Sequence, residues 1–163
     1  MKAYLANNFD LNIKKDWIKL EQNSYCTPFQ SFEWHINWFE YIGKKLEYSP
    51  VLISIKDENQ IIGIFPFCYK KDKFSKKIIW NGGLQTDYNL PLIHKNYYNE
   101  LNILYIWKIV KKILPNYDIL YLEKQPEFIL EIENIFLKTQ KKLSKLILLE
   151  SYLIIHGKHI TKI

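Results

Sequence analysis

The sequence contains no arginine: all 23 of its basic residues are lysine. Arginine's planar fork is the usual means of bidentate phosphate and guanine recognition, so its absence argues against a sequence-specific nucleic-acid reader. The formal net charge of +6 has a plainer source. Lys, Asn, Ile, Tyr and Phe, all encodable by A/T-only codons, are abundant, and that bias alone yields a basic chain; no nucleic-acid partner is expected. Cysteine is scarce as well. Cys26 and Cys68 have no metal or redox spacing and read as reduced, structural thiols. Long apolar runs are missing: the longest, residues 61–69, contains Gly63 and Pro66 and is too short to span a bilayer. Asp10 and the Asn7-Asn8 pair interrupt the N-terminus before a signal-peptide core could form. The expectation is therefore a cytoplasmic protein with no transmembrane segment. Also missing is any Ser/His/Asp or Cys/His set with a glycine elbow.

What is present is a folding composition. The 163 residues are 48% hydrophobic and 16% aromatic, enough for one domain with its own core. The densest aromatic stretch is residues 27–43. Pro28 starts it, Ser31 is a good helix N-cap, and Gly43 suits a left-handed exit residue. Trp34, Trp38 and Ile42, four apart with Phe39 beside them, predict a buried helical stripe, while His35 falls one residue off that face as a surface histidine. The organising helix is placed at residues 31–45.

Around it, residues 3–5 form a short first strand and residues 13–21 a modest amphipathic helix with Ile13, Trp17 and Leu20 inward. Residues 49–56 and 60–69 are β-rich and flank the turn Asp57-Glu58-Asn59, which predicts a hairpin. Pro66 removes a ladder donor in its second arm and implies an edge, a bulge or a splay. Residues 70–77 read as a charged loop, 78–80 as a strand, Asn81-Gly82-Gly83 as a turn, and 89–93 as a further short strand. Residues 97–114 predict a long helix with Ile103, Ile106, Trp107, Val110, Ile113 and Leu114 inward, ended by Pro115. A strand at 117–123 follows, then a helix opened by Pro126 with Ile129, Ile132 and Phe136 inward. Residues 146–149 and 152–155 are β-like. The fold class is α/β (α+β), a mixed sheet flanked by helices.

Three ordered motifs carry a resemblance. Thr-Pro-Phe-Gln-Ser-Phe-Glu-Trp at 27–34 with Trp38, Ile-Ile-Gly-Ile-Phe-Pro-Phe at 61–67, and Trp-Asn-Gly-Gly-Leu-Gln-Thr-Asp-Tyr at 80–88 resemble the CelD-type acetyltransferases of the GNAT superfamily, related in architecture to the FemAB peptidyltransferases. The resemblance covers residues 17–121. It implies a GNAT-like mixed, twisted sheet with helices on both faces. It also implies transfer of an acyl group from acetyl-CoA or another acyl-CoA to an amine or hydroxyl, on a small-molecule or glycan acceptor such as cell-envelope polysaccharide. Family members carry two GNAT-like halves, with the acyl-CoA features mainly in the C-terminal one. By that comparison residues 1–163 are a single domain resembling the N-terminal half, residues 143–163 begin the second, and the chain is inactive alone. The partner expected is a separately encoded or missing C-terminal half.

The chain departs from the superfamily in one respect. A Gln/Arg-x-x-Gly-x-Gly/Ala loop opening a helix would hold the acyl-CoA pyrophosphate on backbone N–H groups, and no such string occurs. The nearest substitute, Asn81, Gly82 and Gly83, is an anion-nest candidate whose commoner reading is a plain turn. Thr86, Asp87 and Tyr88 form the best polar cluster. Asp87 can accept a proton or orient an acceptor amine, and Tyr88 can protonate a leaving thiolate; the alternative is an Asx turn with a packed tyrosine. Gln30 and Glu33, at the start of the organising helix, are candidate ligand contacts, the commoner reading of Glu33 being a simple complement to the helix dipole. His156 and His159 are too few for a zinc site, and no metal is expected. Two other function classes remain open: a non-catalytic GNAT-like partner-binding module, and a basic nucleic-acid or membrane-surface binder.

Overall fold

The computed structural model describes residues 1–146 and 153–154. Strand Lys2–Ala6 (β1) leads into helix Leu11–Glu21 (α1), whose first turn is capped by the Asp10 carboxylate accepting from the N–H groups of Asn12 and Ile13. A single 3₁₀ turn at Pro28–Gln30 precedes helix Phe32–Trp38 (α2), where the Ser31 hydroxyl accepts from the Trp34 N–H as expected. The helix then widens into a π turn over Phe39–Gly43. Gly43 is not the left-handed exit residue: that conformation falls on Glu47, at φ 60°. Gly43 is required for packing instead, because a Cβ there would lie 2.8 Å from the Phe39 ring.

The β-branched runs form the expected hairpin, Ser49–Asp57 (β2) with Gln60–Lys71 (β3), and β1 pairs antiparallel to β2. The chain from 70 to 77 is not a loop: β3 continues through Lys71 and turns directly into Lys76–Trp80 (β4), another antiparallel pair. Leu92–Ile93 (β5) pairs with β3 at Gly63 and Ile64, while β4 pairs with β3 only from Phe67 onward. Pro66 sits in the gap between these two partners. Its missing N–H falls where the sheet splays, and its carbonyl accepts from the Asn81 N–H at 2.8 Å.

Helix Glu100–Ile113 (α3), capped by Asn99, crosses over to Ile119–Tyr121 (β6). That strand runs parallel to β4, so the pairing changes from antiparallel to parallel between β4 and β6. The helix expected from Pro126 begins later. Residues Phe128–Ile129 (β7) and Ile132–Glu133 (β8) form a two-stranded hairpin whose turn residues Leu130 and Glu131 both have positive φ. Only then does helix Ile135–Leu146 (α4) start, with Asn134 accepting from the Leu137 N–H. Leu153–Ile154 (β9), inside the β-like segment expected at 152–155, pairs parallel to β6. The expected strand at 146–149 lies outside the described residues apart from its first position, which ends α4. His156 and His159 lie outside them too.

The architecture is thus a mixed sheet in the order β1-β2-β3-β4-β6-β9, with β5 against β3 and helices on both faces. Strand alternation sorts the core. Val51, Ile53, Phe65, Phe67 and Trp80 face Ile106, Trp107 and Val110 of α3 and Phe136 of α4. On the other face, Leu52 and Ile64 meet Trp17 and Leu20 of α1 and Phe32 of α2. Among the described residues no helix is long and apolar enough to cross a membrane.

Candidate functional site

The third motif occupies one definite place. It begins at the last residue of β4 and continues as a loop, residues 81–89, at the carboxyl end of the parallel pair β4 and β6. In open α/β sheets ligands collect at the carboxyl ends of strands where the topology switches. Two hydrogen bonds tie this loop to the segment after β6: the Asn89 N–H donates to the Lys124 carbonyl at 2.9 Å, and the Lys124 ammonium donates to the Leu84 carbonyl at 2.7 Å.

Helix α2 clamps the same loop from the other side. The Trp34 indole donates to the Thr86 hydroxyl oxygen and the Trp38 indole to Gln85 Oε1, both at 2.9 Å. Trp34 is half-buried, its ring edge-on to Phe29, and Phe29 in turn meets Tyr88 edge-on. The first and third motifs are therefore one unit in space.

The glycines of the loop serve that packing. Gly82, at φ 136°, lies so close to Thr86 that an added Cβ would be 2.2 Å from Oγ1. A Cβ on Gly83, at φ 49°, would lie 3.0 Å from the Trp38 ring. The motif leads into one 3₁₀ turn, Gly83–Gln85, and not into a helix. Asn81 is fully buried and donates through Nδ2 to the His35 carbonyl at 3.0 Å and toward His35 Nδ1 at 3.2 Å. The Cys68 thiol donates to Asn81 Oδ1 at 3.1 Å.

His35 is therefore not on the surface; it is 3% exposed. Because Nδ1 accepts from Asn81, the proton sits on Nε2, which is buried without a partner, with the Trp17 ring 5.1 Å away. Burial pushes the imidazole pKa down to about 3, against a smaller raising effect from the Asn81 backbone. Burial likewise pushes the Cys68 thiol well above its ordinary range. The Cys68–Asn81–His35 chain is thus a neutral structural network with neither a thiolate nor an available base.

The remaining candidates separate. Gln30 is 2% exposed and fully engaged: Oε1 accepts from the Thr27 N–H, Nε2 donates to the Pro91 carbonyl, and its own carbonyl accepts from the Trp17 indole. Glu33 is exposed and pairs with Lys14 at 3.0 Å. Asp87 and Tyr88 are exposed on the loop, beside the buried Thr86. The structure brings Asn81, Gly82, Gly83 and Thr86 together with α2, leaves Asp87 and Tyr88 facing solvent next to them, and places Gln30 and Glu33 outside that cluster. Trp34, Trp38, Gln85 and Lys124 complete the assembly. The two tryptophans carried a signal for it, since an indole N–H needs a partner when buried. A shallow pocket of about 280 Å³ lies elsewhere, between Phe128 and α4. Among the described residues no group of three or more His, Cys, Asp or Glu side chains is placed to hold a metal.

No protein-family model, curated protein or solved structure matches the chain.

Proposed function

We propose that the chain is the acceptor-side half of an acyl-CoA-dependent acyltransferase of the CelD-type, acting in the cytoplasm, where acyl-CoA is available. One observation carries this reading. The motif loop that resembles the family lies at the carboxyl end of the β4/β6 pair, clamped by the motif helix, with Asp87 and Tyr88 presented to solvent. In the proposed reaction an acceptor nitrogen or oxygen attacks the thioester carbonyl and the carbon–sulfur bond breaks. Asp87 takes the acceptor's proton and Tyr88 supplies one to the departing thiolate. The pyrophosphate contact comes from a partner half, because Gly82 and Gly83 are consumed by packing on Thr86 and Trp38 and no helix follows them.

The test is titration of the isotope-labelled chain with acetyl-CoA, followed by amide NMR. The chain has only five glycines, which makes the Gly82 and Gly83 signals tractable. Shifts confined to residues 82–88 at millimolar ligand, without saturation, are expected. Saturation at micromolar ligand would remove the need for a partner half, and an unperturbed loop at millimolar ligand would overturn the site.

A further inference from the structure

The outer surface of α3 has no role in the loop site above, and its side chains are arranged in one stripe. Leu101, Tyr105, Lys108 and Lys112 recur at helical spacing on the face turned away from the sheet, with Lys111 beside them. Leu101 is 80% exposed and Tyr105 53%. The opposite face of the same helix, Ile103, Ile106, Trp107 and Val110, is buried in the core, so the orientation of the stripe is fixed. Among the described residues no ion pair reaches Lys108, Lys111 or Lys112, and the only carboxylate of α3, Glu100, is engaged by Lys138 and Lys142 of α4.

The stripe is asymmetric along its length: apolar at the N-terminal end, cationic at the C-terminal end. Next to that apolar end, beyond the Glu100 pairs, the β7–β8 hairpin exposes Phe128 (62% exposed) and Leu130. Phe128 lines a pocket with Lys138, Lys141 and Lys142, whose charges are met there by Glu127, Glu133 and Glu100, so the tip adds apolar surface and not positive charge.

We infer that the α3 face, continued by the β7–β8 tip, is a docking surface for an anionic lipid bilayer. Lysine ammonium groups gain from the negative potential of anionic headgroups, and their alkyl stems tolerate the interfacial layer. Leucine, phenylalanine and tyrosine are the side chains that enter or lie at that layer. Nucleic acid explains the lysines but not the leucine and phenylalanine among them, and the chain has no arginine with which to read bases. Lys108, Lys111 and Lys112, with no ion pair among the described residues, give the surface its charge complementarity with the bilayer, and the exposed Leu101 and Tyr105 of the same helix give it depth.

The experiment is co-sedimentation of the full chain with phosphatidylcholine vesicles and with vesicles that also contain phosphatidylglycerol. Binding only to the anionic vesicles is expected, falling as salt rises. Neutralising Lys108, Lys111 and Lys112 together with glutamine should weaken partitioning about 100-fold. Leu101→Glu should weaken it as well while leaving the melting curve unchanged, since that side chain is 80% exposed. Failure to sediment with anionic vesicles at low salt would overturn the inference. So would wild-type binding by the triple variant, or tight binding to duplex DNA that is indifferent to Leu101→Glu.

Discussion

The Trp34 indole nitrogen and the Thr86 hydroxyl oxygen, 52 positions apart in sequence, meet at 2.9 Å and join the aromatic helix to the loop after β4. Thr86 is wholly buried, so removing its oxygen leaves an indole N–H without an acceptor. Thr86→Val should cost about 1–2 kcal/mol in urea unfolding. In a double-mutant cycle with Trp34→Phe, a coupling of about 1 kcal/mol is expected. Strict additivity would show that the bond contributes nothing to stability.

Gly82 is the position least able to accept a side chain. Its φ of 136° is costly for any L-residue, and its Cβ would run into Thr86. Gly82→Ala should therefore destabilise by about 3 kcal/mol, from backbone strain and overpacking together. Adding Thr86→Ala removes the collision but not the strain, and it also removes the Trp34 acceptor, so it should restore only part of the loss. Full recovery of the urea midpoint would mean that the backbone conformation is unstrained.

His35 makes stability fall in acid. Its pKa is about 3 when folded, lowered mainly by burial, against about 6.5 in an unfolded chain. Above the unfolded value neither state is protonated and the group has no effect. As pH falls below that value the unfolded chain takes up a proton that the native state refuses. Stability then drops by about 1.4 kcal/mol per pH unit between roughly pH 6 and pH 3. His35→Gln should have a visibly shallower slope over that window. Parallel slopes for the two proteins would show that the imidazole is protonated in the fold.

The two thiols should be slow toward a thiol-exchange reagent. Cys26 is half-buried, and desolvation with a smaller contribution from Glu21 pushes its pKa up to about 11; Cys68 is buried and higher still. At pH 8 on the order of one Cys26 in a thousand is thiolate. Both should react rapidly in denaturant and neither in its absence. A fast native phase of one equivalent would show that the Cys26 site opens.

Local pattern made much of this fold legible. The β2–β3 hairpin follows from β-branched runs around a polar turn, and α3 follows from its apolar spacing and the proline after it. The errors arose where partners are distant. His35 lies off the Trp34/Trp38 stripe, yet Trp34 and Trp38 reach a loop while His35 and Phe32 enter the core, so α2 is covered on two sides. Nothing in the sequence announces a second cover. Pro126 imitated a helix start because Leu130 and Glu131 give no sign of the left-handed conformation they adopt. At the candidate site the motif residues were legible as a group, but the bonds from Lys124 were not, since that residue is unremarkable until β6 pairs with β4.

The switch from antiparallel to parallel pairing after β4 also sets a timetable. Strands β1 to β4 lie within the first 80 residues and are linked by hairpins and short helices, so their pairing needs nothing made later. The face carrying Val51, Phe65, Phe67 and Trp80, however, packs mainly against α3 and α4 among the described residues. A ribosome that has released β4 is still roughly 30 residues from finishing α3, a delay of a few seconds at ordinary elongation rates. During those seconds four of the seven strands of the sheet display their most aromatic surface to the cell. Slowing translation through residues 81–113 alone should therefore raise the insoluble fraction of the expressed chain without altering the finished protein.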